Sequence, residues 1–279
     1  MSPGRRFVSP VEPAMARRRQ LFALREPMRS STAIVVGLVA PILVITAWCV
    51  ATYGGLTPPD FLPSPTDVIK GTLQLFFEHE LGLAIWISTR RILIAFGLAS
   101  AIALPLGVLM GAFEPVNRFF EPIVAPLRYM PISAFIPLLI LYFGIYEKQK
   151  IAFLFLGVFV YLLPVVVSAI RAVPEELVQT ARTLGAGRWQ VIRTVLVPSA
   201  LPEIFDSFRV MNAISWTYVI LAEMVNPSGL GYMVELARTH HKPSWSFAGL
   251  LVIGGIGLVT DGIIRAVSAM MFRWKEKSS

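Results

Sequence analysis

Four stretches without a single charged residue, Thr32–Pro59, Ile92–Phe113, Tyr129–Tyr146 and Ile151–Ile170, constrain this chain more than anything else in it. A bilayer core needs roughly 20 apolar residues in one helix, and each run meets or approaches that length. Two further runs are interrupted. Val210–Ala222 is apolar until Glu223, and Phe247–Met271 is broken by Asp261 and Arg265. Of the 279 residues, 55% are hydrophobic and 15% charged, where a soluble domain carries about a quarter charged residues. The reading is an all-α integral membrane protein with about six transmembrane helices. Five is the alternative, if Tyr129–Tyr146 is re-entrant. Pro126, Pro131 and Pro137 imply a kinked or broken helix there, either lining a pathway or held by ordinary packing.

Orientation follows the positive-inside rule. Seven arginines (Arg5, Arg6, Arg17, Arg18, Arg19, Arg25 and Arg29) precede the first apolar run. Six crossings then place the N- and C-termini in the cytoplasm, the latter with Arg273, Lys275 and Lys277. This divides the chain into a basic cytoplasmic arm, 1–31, and a transmembrane domain, 32–279. The arm resembles a signal n-region, but the run behind it exceeds a 7–15-residue signal core and reads as an anchor; Met15 is an alternative start. The net charge of +8 is explained by topology, so no nucleic-acid partner is expected. Cys49 is the single cysteine, which excludes an internal disulfide and a cysteine metal cluster.

Between the fourth and fifth spans lies a polar elbow, residues 174–202. Pro174 suits a first helical turn, and Glu175 and Glu176 complement the helix dipole. Leu177, Ala181 and Leu184 share a face, and Gly185 and Gly187 are expected to stop the helix. A second short helix from about Arg188 would carry Trp189, Ile192, Val195 and Leu196 on its apolar side and end at Pro198 and Pro202. The same charge bookkeeping puts this elbow in the cytoplasm. Elsewhere, Val68, Leu73, Leu75, Phe76 and Phe77 suggest an amphipathic helix, or a plain connector, and Glu114–Glu121 reads as a short turn. Gly107 and Gly111 form a small-xxx-small pair.

Enzyme chemistry finds little support. There is no phosphate-binding GxxxxGK[ST], and no HExxH, CxxC or GxSxG. His240 and His241 read as a solvated loop. Asp261 and Arg265 are placed to pair with each other. Glu223 has no cation within a helical turn; it faces a cavity or gate, or packs on loop backbone.

The elbow resembles the cytoplasmic signature of bacterial ABC importer permeases, EAA-x3-G-x9-I-x-L-P. Gln179-Thr180-Ala181 stands at the EAA position, Gly185 at the glycine, and Val195, Val197 and Pro198 complete the pattern. Gln179 replaces the acid, Val195 the isoleucine and Val197 the leucine. The runs FLPSPTDVI, ALPLGVLMG, FGIYEKQKI, RTLGAGRWQ, PSALPEI and GLGYMV are similar to the nitrate, sulfonate/taurine and bicarbonate permeases. The resemblance covers about residues 56–270.

It implies a type I ABC importer permease fold in the bacterial inner membrane. It also implies a function: transport of a small solute, in particular a small anion, through alternating access driven by partner ATP hydrolysis. The partners would be a second permease copy in a homodimer, two ABC ATPase subunits, an external solute-binding protein and membrane lipid. This chain would bind no cofactor, ATP and Mg belonging to the ATPase. ATPase coupling falls to Glu175, Glu176, Gln179, Thr180, Ala181, Leu184, Gly185, Ala186 and Gly187. Position suggests Arg128, Tyr129, Met130, Ser133, Ser215, Trp216 and Glu223 for the pathway. The alternatives are an ABC permease for another small organic solute, and an ATPase-independent channel or carrier.

Overall fold

A computed structural model describes residues 30–272; the basic arm through residue 29 and the C-terminal Arg273, Lys275 and Lys277 lie outside the described residues. Those residues fall into two units, divided after Pro65. The first holds α1 (Ser30–Tyr53), an apolar helix none of whose most hydrophobic stretch is buried within the chain. A short segment of turns follows it, and the Trp48 indole N–H donates across to the Pro63 carbonyl at 3.0 Å.

The second unit is built of helices alone among the described residues: α2 (Pro65–Glu78), α3 (Leu81–Ala112), α4 (Glu114–Leu127), α5 (Ile136–Phe143), α6 (Glu147–Arg171), α7 (Glu175–Thr183), α8 (Arg188–Val191), α9 (Val197–Met224), α10 (Leu230–Thr239) and α11 (Pro243–Met271). By length and composition α1, α3, α6 and α11 can each cross a membrane, and α4 with α5 would make a fifth span. The expected six is reached only by adding α9. That helix is 28 residues long, about 42 Å at 1.5 Å per residue, but Glu203, Asp206 and Arg209 make its first half polar.

The centre of the unit is the parallel pair α3 and α6. The two helices approach so closely that a Cβ added to Gly107 would lie 2.7 Å from the Val166 side chain, and one on Gly111 equally close to Ile170. The small-xxx-small pair is therefore the contact itself: hydrogen in place of a methyl lets the backbones meet. Helix α9 packs on the other side of α6, with Gly157 against the Tyr218 ring. Leu162, Leu163, Val166, Ile170, Ala103 and Ile204 form the buried heart of this three-helix contact.

Three expectations are corrected. Residues Glu114–Glu121, read as a turn, begin α4, and α4 meets the Ile132–Phe143 segment at a 93° bend. Pro131 explains the break, since proline disfavours helical backbone at the residue before it. The helix from Arg188 does not end at Pro198 and Pro202 either. It passes through a π-helical turn, Ile192–Leu196, in which the Val197 N–H reaches back to the Ile192 carbonyl, and continues as α9. Pro198 then lies in the first turn of the new segment, where its missing N–H costs no bond. Gly187 is no C-cap: at φ −70° it precedes α8 as its N-cap.

The amphipathic helix behind the proline-rich segment is α2. It buries Val68, Gly71 and Leu75 and exposes Leu73, Phe76 and Phe77. Trp245 of α11 anchors it: the indole N–H donates to Gln74 Oε1 at 3.1 Å, the His79 ring stands 4.9 Å away, and Lys242 lies over the indole.

Candidate functional site

The elbow reduces to one short helix, α7, closed by a glycine turn. Gly185 has φ +87°, the left-handed conformation that favours glycine. Its N–H donates to the Arg182 carbonyl at 2.9 Å, and the Ala186 N–H donates to the Ala181 carbonyl at 3.0 Å. These paired bonds satisfy the last free carbonyls of the helix, a Schellman closure. Glu175 and Glu176 occupy the first turn, and Thr180 Oγ1 donates to the Glu176 carbonyl at 2.8 Å.

The inward residue of α7 is Val178, 7% exposed, whereas Leu177 and Leu184 are 47% and 83% exposed. The apolar face that the sequence pattern marks is thus turned away from the rest of the chain. Gln179, Thr180 and Gly187 are exposed as well, and Ala181 and Ala186 half-buried. Two large aliphatic side chains on a rigidly capped helix are thus left largely uncovered by the described residues, as on a docking ridge.

At the opposite end of the α3–α6 pair lies a cluster the sequence did not connect. Arg91 of α3, 2% exposed, donates to Glu223 of α9 at 2.7 Å and pairs with Glu147 of α6 through two nitrogens. Glu223 is fully buried and also accepts from Ser88 Oγ at 2.8 Å and from the Gly231 N–H at 2.9 Å. Lys150 donates to the Asn226 carbonyl at 2.7 Å and to Ser228 Oγ at 2.5 Å. Ser88 in turn accepts from the Leu230 N–H at 2.9 Å. Four charges from three helices therefore clamp the loop between α9 and α10.

The partners lie 132 and 135 residues from Glu223 along the chain, so no local spacing could reveal them. Glu223 accepts from backbone in the first turn of α10, and its chief partner is a cation on another helix. Outside the spans, Arg238 donates to Glu235 at 2.9 and 2.5 Å and holds that carboxyl below its usual range.

The pathway candidates separate into two groups. Arg128, Tyr129, Met130 and Ser133 lie at the bend after α4; Tyr129 is 85% exposed, and Arg128 reaches Glu121 at 3.3 Å. Ser215, Trp216 and Glu223 face no open space: each is at least nine-tenths buried. Ser215 Oγ donates to the Met211 carbonyl at 2.8 Å, and the Trp216 indole to Thr260 Oγ1 at 3.1 Å. Asp261 pairs with Arg265 at 3.0 Å as expected and also accepts from Arg209 at 2.7 and 3.1 Å, joining α9 to α11.

Residues 103–273, the stretch that holds the elbow and most of this helical core, match the family described as binding-protein-dependent transport system inner membrane component. The chain belongs to this family. The permease is 30% identical over 256 residues to the taurine transport system permease protein of Escherichia coli, covering 90% of this chain and 92% of that one. It is 26% identical over 229 residues to the nitrate import permease protein of Synechocystis, covering 77% and 82%.

Among solved structures it resembles the inward-facing MetNI methionine ABC transporter, with a TM-score of 0.57 at 21% identity over 67% of this chain and 95% of that one. That likeness establishes the type I permease fold. The permease is thus the membrane-embedded transport subunit of an ABC importer, not a catalytic chain. Its family implies a separate ATPase and a solute-binding protein as partners.

Proposed function

We propose that two copies of this permease form the translocation pathway, each seating α7 in a cleft of an ABC ATPase subunit. Closure of the ATPases around ATP and Mg then draws the two elbows together and turns the spans from inward- to outward-facing. This chain itself holds no cofactor. What carries the reading is the exposed Leu177–Leu184 ridge on a helix whose end is fixed by Gly185. Glu175, Glu176, Gln179, Thr180, Ala181, Ala186 and Gly187 surround that ridge and complete the contact.

In this arrangement the elbow and both termini are cytoplasmic, as the arginine-rich arm supports. The Arg91–Glu223 clamp is at the outer face, where the solute-binding protein delivers its cargo, and α1, whose hydrophobic stretch is not buried within the chain, and the outward faces of the spans meet lipid or the second copy. The cargo is a small anion, nitrate, bicarbonate or a sulfonate such as taurine; the taurine and nitrate relatives support it. The bend at Arg128–Ser133 lines its route, while Ser215, Trp216 and Glu223 support that route from within the helix packing.

The test is reconstitution of the permease with its ATPase and binding protein in liposomes, with uptake of labelled taurine, nitrate and bicarbonate measured with and without ATP. ATP-dependent uptake of one of these anions is expected. Uptake that persists without ATP or ATPase would contradict the reading.

A further inference from the structure

A second face of α7 borders a feature distinct from the leucine ridge, with Glu175 at the edge of both. Behind the elbow lies a cavity of about 460 Å³, walled by the ends of α3 and α6, the start of α4, and α7 through α8. Its charged lining comprises Arg171, Arg182 and Arg188 against Glu114 and Glu175. Glu114 is already engaged, accepting from Arg118 at 2.6 Å and from Arg171 at 3.1 Å. Arg182 and Arg188 form no salt bridge among the described residues, nor does Glu175. The cavity therefore keeps one positive charge in excess, carried on two guanidinium groups from different helices.

The helical wheel separates this lining from the ridge. At 100° per residue, Glu175, Val178 and Arg182 fall on one stripe, and Leu177 and Leu184 on another about 140° away. The stripe that lines the cavity is therefore not the one that carries the leucines; Val178 is its buried member, while Arg182 and Arg188 are exposed and open the cavity to solvent. A space of this volume is about 10 Å across, no more than a Debye length at 0.1 M salt, so the lining charges act on a single ion together. Guanidinium forks match the oxygens of a sulfate, sulfonate or phosphate group two at a time, which an ammonium does not.

We propose that this cavity is an oxyanion site. A bound oxyanion would bridge Arg182 on the elbow to Arg188 on α8, beside the Arg171–Glu114 pair at the span ends, and so restrain the movement of α7. Because the ends of α3 and α6 wall the cavity, the oxyanion could be free in solution or the phosphate of an anionic lipid headgroup.

The experiment uses the intact importer complex. Sulfate binding is measured by calorimetry on delipidated complex, and retained phosphatidylglycerol by native mass spectrometry from nanodiscs of phosphatidylglycerol and phosphatidylcholine. Saturable sulfate binding that Arg182→Gln/Arg188→Gln weakens about tenfold or more supports a free oxyanion site. Phosphatidylglycerol retained by the wild type and lost from the double variant supports the headgroup.

Glu175→Gln removes the competing acid and is expected to tighten whichever ligand binds, a gain that misfolding cannot mimic. Neither sulfate binding nor retained phosphatidylglycerol, or equal binding by wild type and double variant, overturns the proposal. Co-elution of the ATPase in the same samples reports separately on the docking reading.

Discussion

Arg91 is the most consequential single side chain in the structure. It is 2% exposed and is the only described cation within salt-bridge reach of the buried Glu223. Removing one member of a buried ion pair leaves its partner charged and desolvated, at a cost of about 3–5 kcal/mol. Arg91→Met is therefore expected to lower the melting temperature of detergent-solubilised protein markedly, with Glu223→Gln milder because the amide still accepts from Ser88 and Gly231. An unchanged melting temperature for Arg91→Met would show that the clamp does not hold the α9–α10 loop.

Gly111 makes the second prediction at this scale. Gly111→Leu drives a side chain into Ile170, and overpacking of this kind costs about 1–3 kcal/mol or more. Lower yield and earlier unfolding are expected, with the same change at Gly97, which has open space around its Cβ position, as the tolerated control. Sequence reasoning located the Gly107–Gly111 pair because close helix approach demands small residues at fixed spacing. It could not locate Arg91, whose partners are set by how three distant helices meet.

At the scale of elements, length and apolarity made α1, α3, α6 and α11 legible, since a bilayer imposes both. The boundaries were harder wherever proline was involved. Pro131 breaks the α4–α5 path into a 93° bend, yet Pro198 and Pro202 do not interrupt the helix they occupy. The difference lies in a neighbouring π-turn, which a residue pattern does not announce. The elbow was legible in its α7 half, because capping chemistry is local: Gly185 supplies the left-handed residue that the closure requires.

Gly185→Val tests that closure. Its Cβ would meet no neighbour within 4 Å, so the cost is backbone strain alone, about 1–2 kcal/mol. The expected outcome is a permease that inserts normally but hydrolyses ATP without proportionate uptake in proteoliposomes. Normal coupling would mean that the fixed end of α7 is dispensable. Trp245→Ala should separately loosen α2, raising protease sensitivity near His79 while leaving the α3–α6 core protected.

The whole molecule divides its labour along parallel helices. The α3–α6 pair joins a charged clamp at one end to an exposed apolar ridge at the other, with a close glycine-mediated contact between them. A rigid pair of this kind can carry a displacement from the elbow to the far loop, whereas a loosely packed one would absorb it. The family implies that the energy comes from a separate ATPase, and in the proposed arrangement the ridge is where it docks.

The most direct measurement is purification of the tagged permease with its ATPase, comparing wild type with Leu177→Asp/Leu184→Asp. Both substitutions fall on exposed positions, so insertion and thermal stability should be retained. The wild type is expected to carry the ATPase through purification, and the double variant to lose it together with ATP-dependent uptake. A double variant that still holds the ATPase and still transports would show that α7 is not the coupling element.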